Sequence, residues 1–468
     1  MLAAGLAALL LVARMMSPGI PEPGDGAAHY LHARYFWQHA EVALSLWGKP
    51  LFSLLASPFA LMGPWGTTLF NAICATATCA VIMAIINKPG QRAWAWPVPI
   101  FLFMVPVYVH VLVAGMTEVL FGLCCTWIIL LLLRHRHAAA MAATSLLPFV
   151  RPEYAAFAPC VMLVVILRRD FSALPWLLAG PVLYSMASGL LLGEPWALAT
   201  DRTYLGKTLY GRGDPWLFVD NLDSRFGVVM VRILMAATAA MAVLIWRDKE
   251  RREEHLRMAL LTLVPAVAIF ALHSFAWYRG GMGSMGLLRV VATTVPLLVL
   301  FAIHAFAALW RLWIPVKQWS SLLLGVFCLF TANTGYHELV RREPLPVPVG
   351  DVEPVQRRAA ETILQQWRTG ERLVAWDPLI FLLTRTDPWN PDEAVHPLDQ
   401  AALDGPLMRP GDWIVWDAHF AANEGRMGLD ALADNPRFHS VADIRPDTPT
   451  TTLGGGPYSI HLFQRREE

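Results

Sequence analysis

The chain reads as a mainly α, polytopic helical membrane protein carrying a small α/β domain at its C-terminal end. Three observations predict this. Hydrophobic residues make up 56% of the 468 residues and charged residues only 16%, above the apolar share of about 45–50% usual in soluble domains. The apolar residues gather in long runs separated by short polar connections, and mean hydropathy is +0.45. After about residue 340 the runs stop, and short strand-like and helix-like patterns replace them.

Eleven apolar segments are expected to be helical, near residues 2–20, 64–86, 97–115, 117–133, 138–150, 154–167, 172–193, 226–246, 258–277, 290–310 and 319–335. The two that flank Arg151-Pro152-Glu153 fall short of the ~20 residues of a full crossing, so they predict a hairpin that turns inside the membrane. With the N-terminus inside, Lys88/Arg92, Arg134/Arg136, Arg168/Arg169, the cluster Arg247 to Arg252, and Arg311/Lys317 all fall in inner loops, as the positive-inside rule requires. The opposite loops then hold Asp25, Lys49, Glu118, Arg151, Glu153 and the stretch Arg279 to Arg289, and the C-terminal domain lies on that same outer side. The first apolar segment has no small-residue cleavage site before Pro21 and is expected to stay as an anchor. Trp94/Trp96, Trp310/Trp313 and Trp319 are expected at the membrane interface.

The division expected is 1–340 for the membrane domain and 341–468 for the extracytoplasmic domain. In the latter, residues 355–367 predict an amphipathic helix, 372–376, 412–416 and 458–463 predict strands, and 429–433 a short helix. A net charge of +1 excludes the basic excess of a nucleic-acid binder. The six cysteines all sit in apolar runs without a Cys-x-x-Cys pair, so they are expected as small buried side chains rather than metal ligands. No internal repeat is evident, which disfavours the inverted-repeat architecture of many transporters.

Candidate chemistry gathers on the outer loops, where an ionisable group at the membrane marks function. Asp25 lies between two glycines directly after the first apolar segment, placed either as a general base toward a sugar hydroxyl or as the N-cap of a helix starting near Ala27. His29 and His32 follow at spacings of four and three, one helical face with Asp25. That geometry suits a metal, but interfacial histidines commonly serve as polar tips, so no metal is expected. Lys49, before Pro50, supplies a point charge for a headgroup phosphate or snorkels. Glu118 opens an apolar helix as a substrate contact or a dipole partner. Arg151 and Glu153, at the hairpin turn, each cost ~2.5–3.5 kcal/mol in the membrane unless paired or hydrated, which implies a watery cavity or a locking salt bridge. Arg279 and Arg289 flank a Gly-rich stretch, residues 280–286, that is either a phosphate-approaching loop or a linker. Asp417-Ala418-His419 is expected to stabilise a loop.

Gly24-Asp25-Gly26 in the first outer loop, Lys49-Pro50 before the second span, Thr117-Glu118 at an outer helix end and Arg151-Pro152-Glu153 at a short hairpin follow one another in an order that resembles the GT-C glycosyltransferases. These include protein O-mannosyltransferases, the lipid A aminoarabinose transferase and dolichyl-phosphate-mannose-dependent mannosyltransferases. The resemblance covers roughly residues 1–340. It departs from many relatives in having a single acid in the first loop and Leu51 after Lys49-Pro50; residues 273–279 only loosely match the mannosyltransferases' His-Lys-Glu-Arg-Phe pattern.

The resemblance implies an inverting transferase that moves one sugar, a hexose such as mannose by likeness, from a polyprenyl-phosphate carrier to a hydroxyl on a glycan, lipid or protein acceptor, without cofactor. Asp25 is then the base, and Lys49 contacts the carrier phosphate. A lipid or glycan transporter, or a non-catalytic assembly protein, is the alternative.

Overall fold

The computed structural model describes residues 1–87, 92–201, 203, 210–282, 284–313, 317–395, 403 and 407–466, without the side chains of residues 92, 313 and 317–323. Lys88, Gly283 and the side chains of Arg92, Trp313, Lys317 and Trp319 therefore lie outside the described residues.

Helix occurs at every one of the apolar segments expected from the sequence, and the differences are local. Helix α1 (Leu2–Met15) stops well before Ile20, because Pro18 disfavours helical backbone in the residue before it. A short helix α2 (Asp25–Arg34) and an apolar helix α3 (Pro50–Ala60) fill the connection to α4 (Trp65–Ile86). The third segment is broken into α5 (Val98–Phe103) and α6 (Pro106–Val113), bent by 69°. Pro106 lacks the N–H that would continue the helix, and its ring opposes the carbonyl one turn back. Helices α7 (Glu118–Leu133), α8 (His137–Leu146) and α9 (Tyr154–Leu167) follow. At a rise of about 1.5 Å per residue the last two are too short for a full crossing, as the hairpin around Arg151 requires.

Helix α10 (Ala179–Leu192), extended by a 3₁₀ stretch from Phe171, precedes α11 (Val228–Arg247), α12 (Arg252–Arg279), α13 (Val295–Trp313) and α14 (Lys317–Arg342). Among the described residues five segments are long and apolar enough to cross a membrane, 65–86, 171–192, 228–247, 249–279 and 288–312, with the bent α5–α6 pair as a sixth. The last of the five is 89% buried and the second only 17%. So α13, apolar all round, is the centre of the bundle, and α10 turns its Leu183, Met186 and Leu190 outward to where lipid replaces protein. Gly122 lets α7 approach this centre, since a Cβ there would lie 2.5 Å from Pro296. Trp94 is a correction to the interfacial belt: it is buried, with Trp310 edge-on at 5.8 Å, whereas Trp96 is exposed.

The C-terminal region forms a four-stranded sheet in the order β1-β2-β4-β3. β1 (Leu373–Ala375) pairs parallel with β2 (Trp413–Asp417), and β4 (Ile460–Arg465) runs antiparallel to β2 and to β3 (Phe438–Ile444). Strand β3 has no counterpart in the sequence reading. Its residues alternate poorly because it is a bulged edge strand with His439 and Ser440 exposed. Along β1, β2 and β4 successive residues point to opposite faces. Val374, Ile414 and Phe463 join one cluster with Met427 and Leu432, while Leu373, Trp413, Val415 and Leu462 join the core that continues into the membrane bundle.

That second face is covered by α15 (Glu353–Gln366) and α16 (Pro378–Thr384), the latter capped by the Asp377 carboxylate on the Leu379 amide. Glu353 accepts from the Ile20 amide at 3.0 Å and pairs with Arg357, which reaches the Pro18 carbonyl at 3.0 Å. These bonds fix the region against the connection between α1 and α2.

Candidate functional site

Helix α2, the start of α3, the N-terminus of α7, the α8–α9 turn and the C-terminal end of α12 converge on a cavity of about 590 Å³ closed on one side by the sheet domain. Asp25, His29, Lys49, Glu118, Arg151, Glu153 and Arg289 all line it. Arg279 does not: it ends α12, exposed. The Gly-rich stretch contributes Met282, Ser284 and Met285.

Asp25 is the first residue of α2 and Gly24 its N-cap. The helix thus starts two residues earlier than the capping alternative required, and the carboxylate makes no cap bond. It forms an ion pair with Arg289 instead. Arg289 is held from two sides, its Nη1 lying 3.2 Å from the Glu22 carboxylate. Glu22 in turn accepts from His110 at 3.2 Å, and His110 also meets Glu343 at 3.0 Å.

Arg151 is bracketed in the same way. Its Nε and Nη2 donate to the two oxygens of Glu153 at 3.0 and 2.8 Å, a fork-to-fork pair, and its Nη1 donates to Thr117 Oγ1 at 2.8 Å. Glu118 Oε1 lies 2.8 Å from that same Nη1 but off the line of an N–H, so neither oxygen of this fully buried carboxylate has a hydrogen-bond partner among the described residues. His273, on α12, reaches Glu153 at 3.2 Å. The salt bridge expected of the hairpin exists, and it forms a wall of the cavity.

Lys49 sits in the left-handed region at φ 57°, ψ 77°, as the N-cap of α3 with Pro50 following. A non-glycine residue there costs about 1 kcal/mol. Its ammonium donates to the Leu46 carbonyl at 3.2 Å. Burial, with Arg151 as the second cause, pulls this ammonium down to about 7. His29 stacks on Trp47 at 5.5 Å and is edge-on to Phe52, and His32 donates from Nδ1 to the Ala28 carbonyl at 2.9 Å while meeting Trp389 edge-on at 4.8 Å. Gly48 has no room for a side chain, because a Cβ would lie 2.2 Å from the His32 ring. Gly48→Ala is expected to displace His32 and lower the melting temperature by several degrees, about 1–3 kcal/mol of overpacking, measured by thermal unfolding in detergent.

Among the described residues no three His, Cys, Asp or Glu side chains are gathered to hold a metal. Glu22 and Glu424 join the site without standing out in the sequence, and His273 stands out only weakly there. Glu22 had a signal, since it is a second acid three positions before Asp25 in the same connection. Glu424 had none, as it arrives from a different part of the chain.

No family model and no curated protein matches the sequence. Solved structures do. ArnT from Cupriavidus metallidurans, bound to undecaprenyl phosphate, is similar over 98% of this chain and 97% of its own at 13% identity, with a TM-score of 0.61. Its apo state gives 0.58 over the same shares. The mycobacterial arabinofuranosyltransferase AftD covers all of this chain, which spans 40% of AftD, at 15% identity and a TM-score of 0.53. At such identities the likeness is one of fold, and it extends through bundle and sheet together: the chain has the fold of the GT-C glycosyltransferases.

Proposed function

We propose that the protein is an inverting glycosyltransferase that moves a single sugar, a hexose such as mannose, from a polyprenyl-phosphate carrier to an acceptor hydroxyl. The observation that carries this reading is the Asp25 carboxylate in one cavity with Lys49, Arg151 and Arg289. The ArnT structure with undecaprenyl phosphate supports the carrier class. We further assign the cavity and the sheet domain to the outer membrane face, on the basic character of the opposite loops.

The chemistry is a single displacement. The acceptor oxygen forms a bond to the anomeric carbon as its proton passes to Asp25, and the bond from that carbon to the phosphate oxygen breaks, the electron pair leaving with the phosphate. Lys49 and the two arginines neutralise the charge that develops there, and cations already fixed in place do this without reorganisation. Arg289 orients the Asp25 carboxylate until the acceptor hydroxyl replaces it as hydrogen-bond partner. Arg279, outside the cavity, acts at most on the loop.

Membranes containing the protein and supplied with polyprenyl-phospho-sugar should yield glycosylated acceptor. Mass spectrometry of envelope glycans with and without the protein identifies the sugar. Carrier binding should depend on pH through Lys49. Only its protonated form pairs with phosphate, so undecaprenyl phosphate affinity is expected to fall by about tenfold per pH unit above about 7. Lys49→Met should flatten this slope, as followed by binding titration from pH 6 to 9.

A further inference from the structure

The wall of the cavity that faces Asp25 differs chemically from the rest. It comes from the sheet domain and consists of Ala375, Trp376, Pro378, Phe381, Pro388, Trp389, Phe420 and Glu424, with no lysine or arginine among these described residues. Phe420 is seated against the Asp25 end of α2: a Cβ on Gly24 would lie 3.2 Å from its ring. Trp376 rests on the residue after Glu424, where a Cβ on Gly425 would lie 2.4 Å from the indole nitrogen. Glu424 accepts from the Tyr210 hydroxyl at 3.1 Å. Trp389 is fixed by His32 and by Tyr35, the latter edge-on at 6.2 Å. The cations of the site, Lys49, Arg151 and Arg289, all belong to the bundle.

The geometry points to a neutral carbohydrate as the acceptor, its ring stacked on Trp376 and its hydroxyls bound by Glu424, which places a neighbouring hydroxyl at Asp25. This rests on the glycosyltransferase reading above and specifies its second substrate. Aromatic faces bind the C–H face of a sugar, and a carboxylate, which only accepts, selects hydroxyl donors. Glu424, on a wall with no lysine or arginine among its described lining residues, repels a phosphorylated or carboxylated acceptor, whereas the charge of Asp25 is already matched by Arg289. The anionic carrier is left to the opposite, basic wall. Trp376 and Glu424 are thus specificity-determining residues, while Asp25 alone touches the reacting proton.

The test is saturation-transfer NMR on the full chain in nanodiscs, with methyl glycosides of neutral hexoses and pentoses, their phosphate esters and a Ser/Thr peptide as probes. Undecaprenyl phosphate binding is measured in parallel. We expect saturation on the ring C–H protons of a neutral glycoside, with affinity about tenfold weaker in Trp376→Ala, as for a truncated aromatic anchor. Trp376→Phe should restore it, Glu424→Gln should weaken it, and undecaprenyl phosphate binding should be unchanged in all three. Binding of the peptide or the phosphate esters in place of the neutral glycosides, or glycoside binding indifferent to Trp376 and Glu424, overturns the proposal. If undecaprenyl phosphate binds and no neutral glycoside does, the acceptor assignment fails and the transferase reading stands. Glycoside binding that needs Trp376 in a protein that ignores undecaprenyl phosphate keeps the acceptor site and removes the carrier. Failure of both probes sinks both.

Discussion

Asp25→Asn is expected to lower sugar transfer by about 10²–10⁴-fold, the usual contribution of a positioned base, with little change in folding or in undecaprenyl phosphate binding. The substitution keeps the shape of the side chain and the N1 position of α2, where Gly24, not Asp25, is the cap. It removes the charge that pairs with Arg289, but that guanidinium keeps Glu22 at 3.2 Å and is not left alone. An asparagine cannot take the acceptor's proton. The loss should therefore appear in the rate at saturating carrier rather than in carrier affinity, and single-turnover assays with labelled polyprenyl-phospho-sugar separate the two. A variant as active as the natural protein would remove Asp25 from the chemistry.

Arg151→Met should be the most destabilising single change at the site. It strips Glu153 of a bidentate partner and Glu118 of its nearest cation, and both carboxylates are about 1% exposed. Breaking a buried pair by removing one partner costs about 3–5 kcal/mol, and His273 at 3.2 Å compensates only Glu153. The double variant Arg151→Met/Glu153→Met should recover part of that loss, because the bidentate pair then vanishes as a unit. Thermal unfolding of the purified single and double variants measures this. Transfer activity should be lost in both, since one of the three cations proposed to meet the carrier phosphate is gone from each.

The residues show why some of this was legible in sequence and some not. The bundle was readable because burial in lipid demands long apolar runs, and Asp25, Lys49, Glu118, Arg151, Glu153 and Arg289 could be singled out because they stand near the ends of those runs. Their convergence on one cavity agrees with that pattern. The break at Pro106 was available in principle, since an interior proline interrupts a helix, but hydropathy averages across it. Strand β3 was hidden because an edge strand needs no apolar alternation on its open side. Glu424 and Trp376 were invisible as a pair: 399 and 351 positions of chain separate them from Asp25, and only the docking of the sheet domain through Glu353, Asp387 and Trp389 brings them to it. His39 with Asp387, at 2.8 Å, is part of that docking, and neither residue stands out in the sequence.

The most direct measurement of the central claim is the anomeric configuration of the product formed from a polyprenyl-phosphate-linked sugar of known configuration, read by NMR together with the polyprenyl phosphate released. Direct displacement in this cavity predicts the opposite configuration in the product, one polyprenyl phosphate released per sugar transferred, and neither in Asp25→Asn. Retained configuration, or transfer from a sugar nucleotide with the polyprenyl donor left untouched, would contradict it.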